Sequence, residues 1–261
     1  LLHLPAEGDY QNGGGRMKKT LSNTNSQSKV YRGGKEEATQ PYIDIRREAD
    51  DAANKGRRMN ANLYKEPTNI IITGVGGQGN VMASRVLAGM LVNAGFVVTI
   101  GETFGMSQRG GSVMSHLRVS STSVLSPQIP QGRADIVIAL EPVEALRVLT
   151  KYGNPDVAVL TNSRMVYPMG VITGEFTYPT LDDVKSMFEK ISAKNWIIDA
   201  TSVAVDLGNP VLSNIVMIGA LAGTSLLPID RRAFEKEISR SIPVGKHHIN
   251  LKAFDAGAKM L

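Results

Sequence analysis

The feature that most constrains this chain is a change of pattern that begins at Asn69. A short β-branched run, Asn69-Ile70-Ile71-Ile72-Thr73, passes into Gly74-Val75-Gly76-Gly77-Gln78-Gly79 and then into a long apolar stretch, Val81–Ala94, whose one charge is Arg85. The first run has the composition of a strand buried on both faces. The stretch after the glycines is long enough for a largely buried helix, and Gly95 stops it. A strand, a glycine-rich turn and a helix imply a β-α-β unit. The next run, Phe96–Ile100, then lies parallel to the first strand.

The same alternation continues to the C-terminus. Val113–Val119 alternates as a strand, and Ala134–Leu140, Val157–Thr161 and Trp196–Asp199 are further apolar strands. Helices are expected at Pro142–Thr150 and at Leu181–Ile191, the latter opened by Thr180 with Asp182 and Asp183 in its first turn. The end turns helical over Val211–Ala222, Arg231–Ser239 and Leu251–Lys259. The expected fold is α/β and Rossmann-like: a mostly parallel sheet flanked by helices, with a helical C-terminal part.

Residues 1–66 differ and read as a poorly structured N-terminal extension, with the folded domain over 67–261. Gly13-Gly14-Gly15 and the polar Leu21–Ser28 have no apolar period. Ile43–Lys55 suits a short, highly charged helix that needs a partner. Met59 has the look of an ordinary start, which leaves open whether the preceding residues wrap a partner or are extraneous. Leu1-Leu2-His3-Leu4-Pro5 lacks the flank and core of a secretory signal, and no apolar run is long enough for a membrane helix, so a cytoplasmic location is expected.

Composition limits the chemistry. There are 0 cysteines, so this sequence supplies no thiolate for a disulfide, a Cys-ligated zinc or an ordinary iron–sulfur cluster. His3, His116, His247 and His248 form no metal-binding spacing. His116 lies on the strand face opposite Val113, Ser115 and Leu117, where a part-buried, hydrogen-bonded ring is expected. The net charge of +5 is spread among acids, as in Arg231-Arg232 before Glu235 and Glu237, so neither nucleic acid nor a membrane is expected as a partner.

Two loops remain. Gly74–Gly79 has the G-x-G-x-x-G spacing in its proper context, where glycine permits a tight turn and the free N–H groups of a helix start attract phosphate. The acid that should end the second strand is missing: Thr99 is there, and the nearest acid, Glu102, falls in the following loop. A dinucleotide site and close helix–sheet packing both remain open. The second loop runs Gly101-Glu102-Thr103-Phe104-Gly105-Met106-Ser107-Gln108-Arg109-Gly110-Gly111-Ser112. Beside two glycines, Arg109 suits either anion binding or the docking of a subunit.

Read together, the paired loops resemble the gamma domain of 2-oxoacid:ferredoxin oxidoreductases. The Met106-Ser107-Gln108-Arg109-Gly110-Gly111 form is most similar to the beta subunit of the indolepyruvate type. Ala134-Asp135, Glu141-Pro142 and the stretch 209–220 agree, and the resemblance runs from about Asn69 to the end. It implies a small subunit in an assembly that decarboxylates a 2-oxoacid oxidatively, makes an acyl-CoA and reduces ferredoxin. Thiamine diphosphate, magnesium and iron–sulfur clusters are then expected on a large alpha subunit, in a heterotetramer.

No firmly bound cofactor is expected on this chain, although coenzyme A is a candidate at the interface. On this reading the loops that dock the partner and receive the CoA phosphates contain Gly74, Gly76, Gly77, Gln78 and Gly79, then Phe104, Gly105, Ser107, Arg109, Gly110 and Gly111. No catalytic residue is assigned. The alternatives are a stand-alone dinucleotide-binding oxidoreductase and a non-catalytic assembly subunit of a related aromatic 2-oxoacid enzyme.

Overall fold

A computed structural model of the chain describes residues 63–104 and 111–261, without the Phe104 side chain. The expected helix over Ile43–Lys55 and the loop centre Gly105–Gly110 lie outside the described residues. The order is β1 (Thr68–Val75), α1 (Asn80–Asn93), β2 (Val97–Phe104), β3 (Ser112–Ser120), β4 (Ile136–Ala139), α2 (Pro142–Tyr152) and β5 (Ala158–Asn162). There follow α3 (Met169–Ile172), α4 (Leu181–Ile191), β6 (Lys194–Ile198), α5 (Ala200–Asp206), α6 (Ser213–Gly223), α7 (Arg231–Ser241) and α8 (His247–Ala258).

The six strands form one sheet in the order β2-β3-β1-β4-β5-β6. β1, β4, β5 and β6 pair in parallel, and β3 runs antiparallel to both β1 and β2. β2 therefore points the same way as β1, as the crossover requires, but β3 stands between them. The chain leaves β1 towards one edge and returns to build β4 on the other side. The strand order thus reverses between β1 and β4, which makes their carboxyl ends the place where open α/β sheets bind ligands.

The sheet is buried on both faces. Every residue of β1, β4 and β5 is buried, as the continuous apolar runs predict. Alternate side chains enter two cores. Ile70, Ile72, Ile136 and Ile138 face α1 and the C-terminal helices, whereas Ile71, Val137 and Val159 face α2 and α4. At the contact of α6 with α8 the backbones nearly touch: a Cβ on Gly257 would lie 1.9 Å from the Val216 carbonyl oxygen.

Several expected boundaries move. β2 runs on to Phe104, so Glu102 is a strand residue opposite Ser115 rather than part of the following loop. The extra ladder bonds to β3 reward this extension, although Gly101 and Gly105 argue locally against it. β6 ends at Ile198, and Asp199 caps the unanticipated α5 by accepting from Ser202 N at 3.0 Å. The helix expected from Val211 begins at Ser213 after a short 3-10 turn, and the last helix starts a turn early at His247. Thr180 opens α4 as read from the sequence, and its pairing with Asp183 is a reciprocal capping box.

His116 is buried and hydrogen-bonded. Its Nδ1 accepts from Ile129 N at 3.4 Å, its ring meets Tyr152 edge-on at 5.1 Å, and burial followed by the nearby Lys151 charge pushes its pKa down. Lys65 pairs with Asp135 at 3.1 Å, and the Glu66 carboxylate accepts from the Ser120 hydroxyl at 2.5 Å, so these residues bond into the sheet before β1 begins. The two faces of α4 give a direct test of the second core. Phe188 is 0% exposed and Met187 is 44% exposed. Phe188→Ala should lower the unfolding free energy by about 3–5 kcal/mol in urea titrations, and Met187→Ala by less than about 0.5.

Candidate functional site

The loop after β1 is held by its own glutamine. Gln78 Oε1 accepts from Val75 N at 2.7 Å, and Gln78 Nε2 donates to the Leu140 carbonyl at 3.1 Å. Its side chain therefore spans the switch point from the β1 loop to the end of β4. Gly74 makes room for it, since a Cβ there would lie 2.6 Å from Gln78 Oε1. Gly79, the N-cap of α1, has φ 85°, and a Cβ would come 2.3 Å from Asn214 Nδ2 on α6. Only glycine meets both demands. Gly76 N donates to Gly111 O at 2.8 Å, so the two glycine-rich loops anticipated from the sequence do meet.

The first turn of α1 has neither a side-chain cap nor an acidic residue, so its N–H groups are available to an anion. Asn80 at its start is 3% exposed, and neither atom of its amide has a hydrogen-bond partner. An uncapped helix start of this kind has donors that suit an anion. Gly74, Gly76, Gly77, Gln78, Gly79 and Gly111 all stand at this edge, and the Phe104 backbone ends β2 opposite Val113. Gly105, Ser107, Arg109 and Gly110 lie outside the described residues.

Sequence reasoning missed the groups that tie this edge together. Leu140 O accepts from Gln78 and also from Asn162 Nδ2, at 3.3 Å. Asn162 in turn donates to Thr201 Oγ1 at 2.8 Å and accepts from Ala200 N at 3.0 Å, which joins β5 to α5. Glu141, 1% exposed, receives Glu144 N on Oε2 at 2.8 Å and both Val166 N (3.3 Å) and the Tyr178 hydroxyl on Oε1. Ser112, at the start of β3, donates to Glu144 Oε2 at 2.5 Å.

Burial pushes the Glu141 carboxyl above its ordinary value, against the pull of its three donors, and burial and Glu141 together push the Tyr178 phenol up. Only Glu141-Pro142 was legible beforehand, as a pair after an apolar strand that agrees with the family resemblance. Tyr178 and Asn162 carry no local signal, because their partners are 37 and 22 residues away. Glu102 projects from the edge strand, with β3 between it and the glycine loop. β2 therefore lies two strand spacings, or about 10 Å, from β1, whereas a ribose-binding acid belongs on the strand next to β1. Among the described residues no group of three or more His, Asp or Glu is placed to hold a metal.

The family described as Pyruvate ferredoxin/flavodoxin oxidoreductase matches residues 69–260, nearly the whole of the described fold. The chain belongs to this family. It is 40% identical over 192 residues to indolepyruvate oxidoreductase subunit IorB of Thermococcus kodakarensis, covering 73% of this chain and 94% of that protein. It is 28% identical over 196 residues to 2-oxoglutarate synthase subunit KorC of Methanothermobacter marburgensis, covering 74% and 95%. The 2-oxoglutarate:ferredoxin oxidoreductase of Magnetococcus marinus, solved with 2-oxoglutarate, coenzyme A and succinyl-CoA bound, shares the fold at a TM-score of 0.57 and 23% identity. The match covers 76% of this chain and 32% of that one.

The Glu141 clasp has a pH signature. The folded-state pKa lies above the unfolded value of 4.5, so this group contributes stability that is fully present below 4.5 and is lost as pH rises through the folded value. Wild type minus Glu141→Gln, compared by urea midpoints, should therefore show the wild type gaining on the variant as pH falls from 7 towards 4.5. A flat difference contradicts the raised carboxyl, and one that moves the other way means that the three donors outweigh burial.

Proposed function

We propose that this chain is the small subunit of an indolepyruvate-type 2-oxoacid:ferredoxin oxidoreductase. The assembly converts an aryl 2-oxoacid and coenzyme A to an acyl-CoA and carbon dioxide, and passes the electrons to ferredoxin. The supporting observation is the 40% identity to the indolepyruvate subunit over 94% of its length, against 28% to the 2-oxoglutarate subunit. With 0 cysteines here, cluster ligands have to come from another chain, and thiamine diphosphate with its magnesium is assigned there too. A large alpha subunit carries that chemistry, in a cytoplasmic heterotetramer. Among the described residues no helix is long and apolar enough to cross a membrane.

This chain's contribution is an edge. Gly76–Gly79 and Gly105–Gly111, with Arg109, dock the large subunit and receive the phosphates of coenzyme A at the interface. The uncapped first turn of α1 and the partnerless amide of Asn80 suit a phosphate. A stand-alone dinucleotide enzyme is less well supported, because β3 separates Glu102 from the glycine loop.

The test is anaerobic reconstitution of the two chains, following ferredoxin reduction in the visible. Turnover should require both chains, coenzyme A and an aryl 2-oxoacid, with 2-oxoglutarate giving the lower kcat/KM. A preference for 2-oxoglutarate contradicts the substrate assignment, and assembly without any turnover supports a purely structural subunit. Arg109→Ala should raise the apparent KM for coenzyme A, or weaken assembly, by about 10- to 100-fold. If both stay unchanged, the loop has neither role.

A further inference from the structure

Between β5 and α4 the chain makes an excursion, Met165–Tyr178, that contains the short α3. Both ends return to one carboxylate oxygen, Glu141 Oε1, which takes Val166 N and the Tyr178 hydroxyl. Between these anchors the segment bonds to itself. Ile172 N donates to Pro168 O, Thr173 N to Met169 O, and Glu175 N and Phe176 N to Gly170 O. The Tyr167 and Tyr178 rings meet edge-on at 5.1 Å, and the Phe176 ring covers Gly170 so closely that a Cβ would lie 2.6 Å from it. The excursion is thus a compact knob with a fixed shape rather than a slack connection.

What the knob displays is apolar. Tyr167 is 54% exposed, Met169 72%, Ile172 67% and Phe176 68%. Of the fourteen residues Met165–Tyr178, one, Glu175, is charged, in a chain whose charged fraction is 20%. An exposed loop that bonds to itself yet turns Met, Ile and Phe outward has the composition of an interface centre, where charge is depleted and aromatics and Met are enriched. Its preformed shape lowers the ordering cost of binding.

We propose that Met169, Ile172 and Phe176 form a docking knob that inserts into an uncharged apolar pocket of the large subunit. This inference rests on the small-subunit reading above. The knob hangs from Glu141, next to the Leu140 carbonyl that Gln78 grips, so it is continuous with the glycine-loop edge assigned to that subunit. A second copy of this chain is the weaker occupant. In Magnetococcus marinus the same fold makes up 32% of a longer chain, so there its covalent neighbours are other domains.

The experiment uses the two full chains, co-expressed and purified anaerobically. Met169→Asp and Ile172→Asp change side chains that are 72% and 67% exposed, so melting temperatures should hold. Each should weaken binding of the large subunit by about 100-fold. In the wild-type complex, hydrogen exchange over residues 165–178 should slow relative to the free chain, a readout independent of whether any variant folds. A wild-type complex that forms with no slowing there, or folded variants that bind as tightly as wild type, overturns the knob while the subunit reading stands. Failure of wild type to bind the large subunit overturns both. Loss of a homodimer in the variants, with large-subunit binding intact, assigns the knob to a second copy and overturns the proposal.

Discussion

The functional edge of this protein depends on two consecutive residues at the end of β4. The Leu140 carbonyl and the Glu141 carboxylate together receive five donors: Gln78 from the β1 loop, Asn162 from β5, Glu144 from α2, and Val166 and Tyr178 from the excursion before α4. Gln78, Asn162, Val166 and Tyr178 reach the junction from separate parts of the chain, and Glu144 from the first turn of α2. A buried carboxyl group without partners is costly, so Glu141 and the arrangement of the surrounding backbone are mutually dependent. The same junction lies beside the reversal of strand order, where an α/β sheet leaves a crevice. Here Gln78 spans that crevice, so the sheet offers its neighbours a braced rim rather than an open cleft.

That rim accounts for the division of labour in the proposed enzyme. Among the described residues no group of three or more His, Asp or Glu is placed to hold a metal, and the sequence has 0 cysteines. The polar groups that converge at the strand ends bind one another and set the positions of two loops. In an assembly whose chemistry belongs to thiamine and clusters, such a subunit has to present a stable surface. The start of α1, on this rim, has no side-chain cap.

Local patterns made much of the fold legible. Ile70-Ile71-Ile72 announced a doubly buried strand, Gly95 the helix stop and Thr180 with its first-turn acids the start of α4, because each is decided within a few residues. The position of β3 was not legible. Val113–Val119 reads as a strand, but its pairing with β1 joins residues as distant as Thr68 and Val119, which no local pattern announces, and it sets Glu102 one strand farther from the glycine loop. At the site, the two glycine loops were visible as composition, and their contact through Gly76 and Gly111 followed. The clasp was not visible, since a Tyr and a Glu 37 residues apart leave no periodic trace.

The central claim is that the carboxyl ends of β1 and β4 face the partner that completes this enzyme. A cryo-electron microscopy map of the anaerobically purified complex tests it most directly. The account predicts the large subunit seated over Gly76–Gly79 and the Leu140–Glu141 junction, with the Gln78 bridge intact. A large subunit seated at the opposite ends of these strands, beside Thr68 and Ile136, would contradict it.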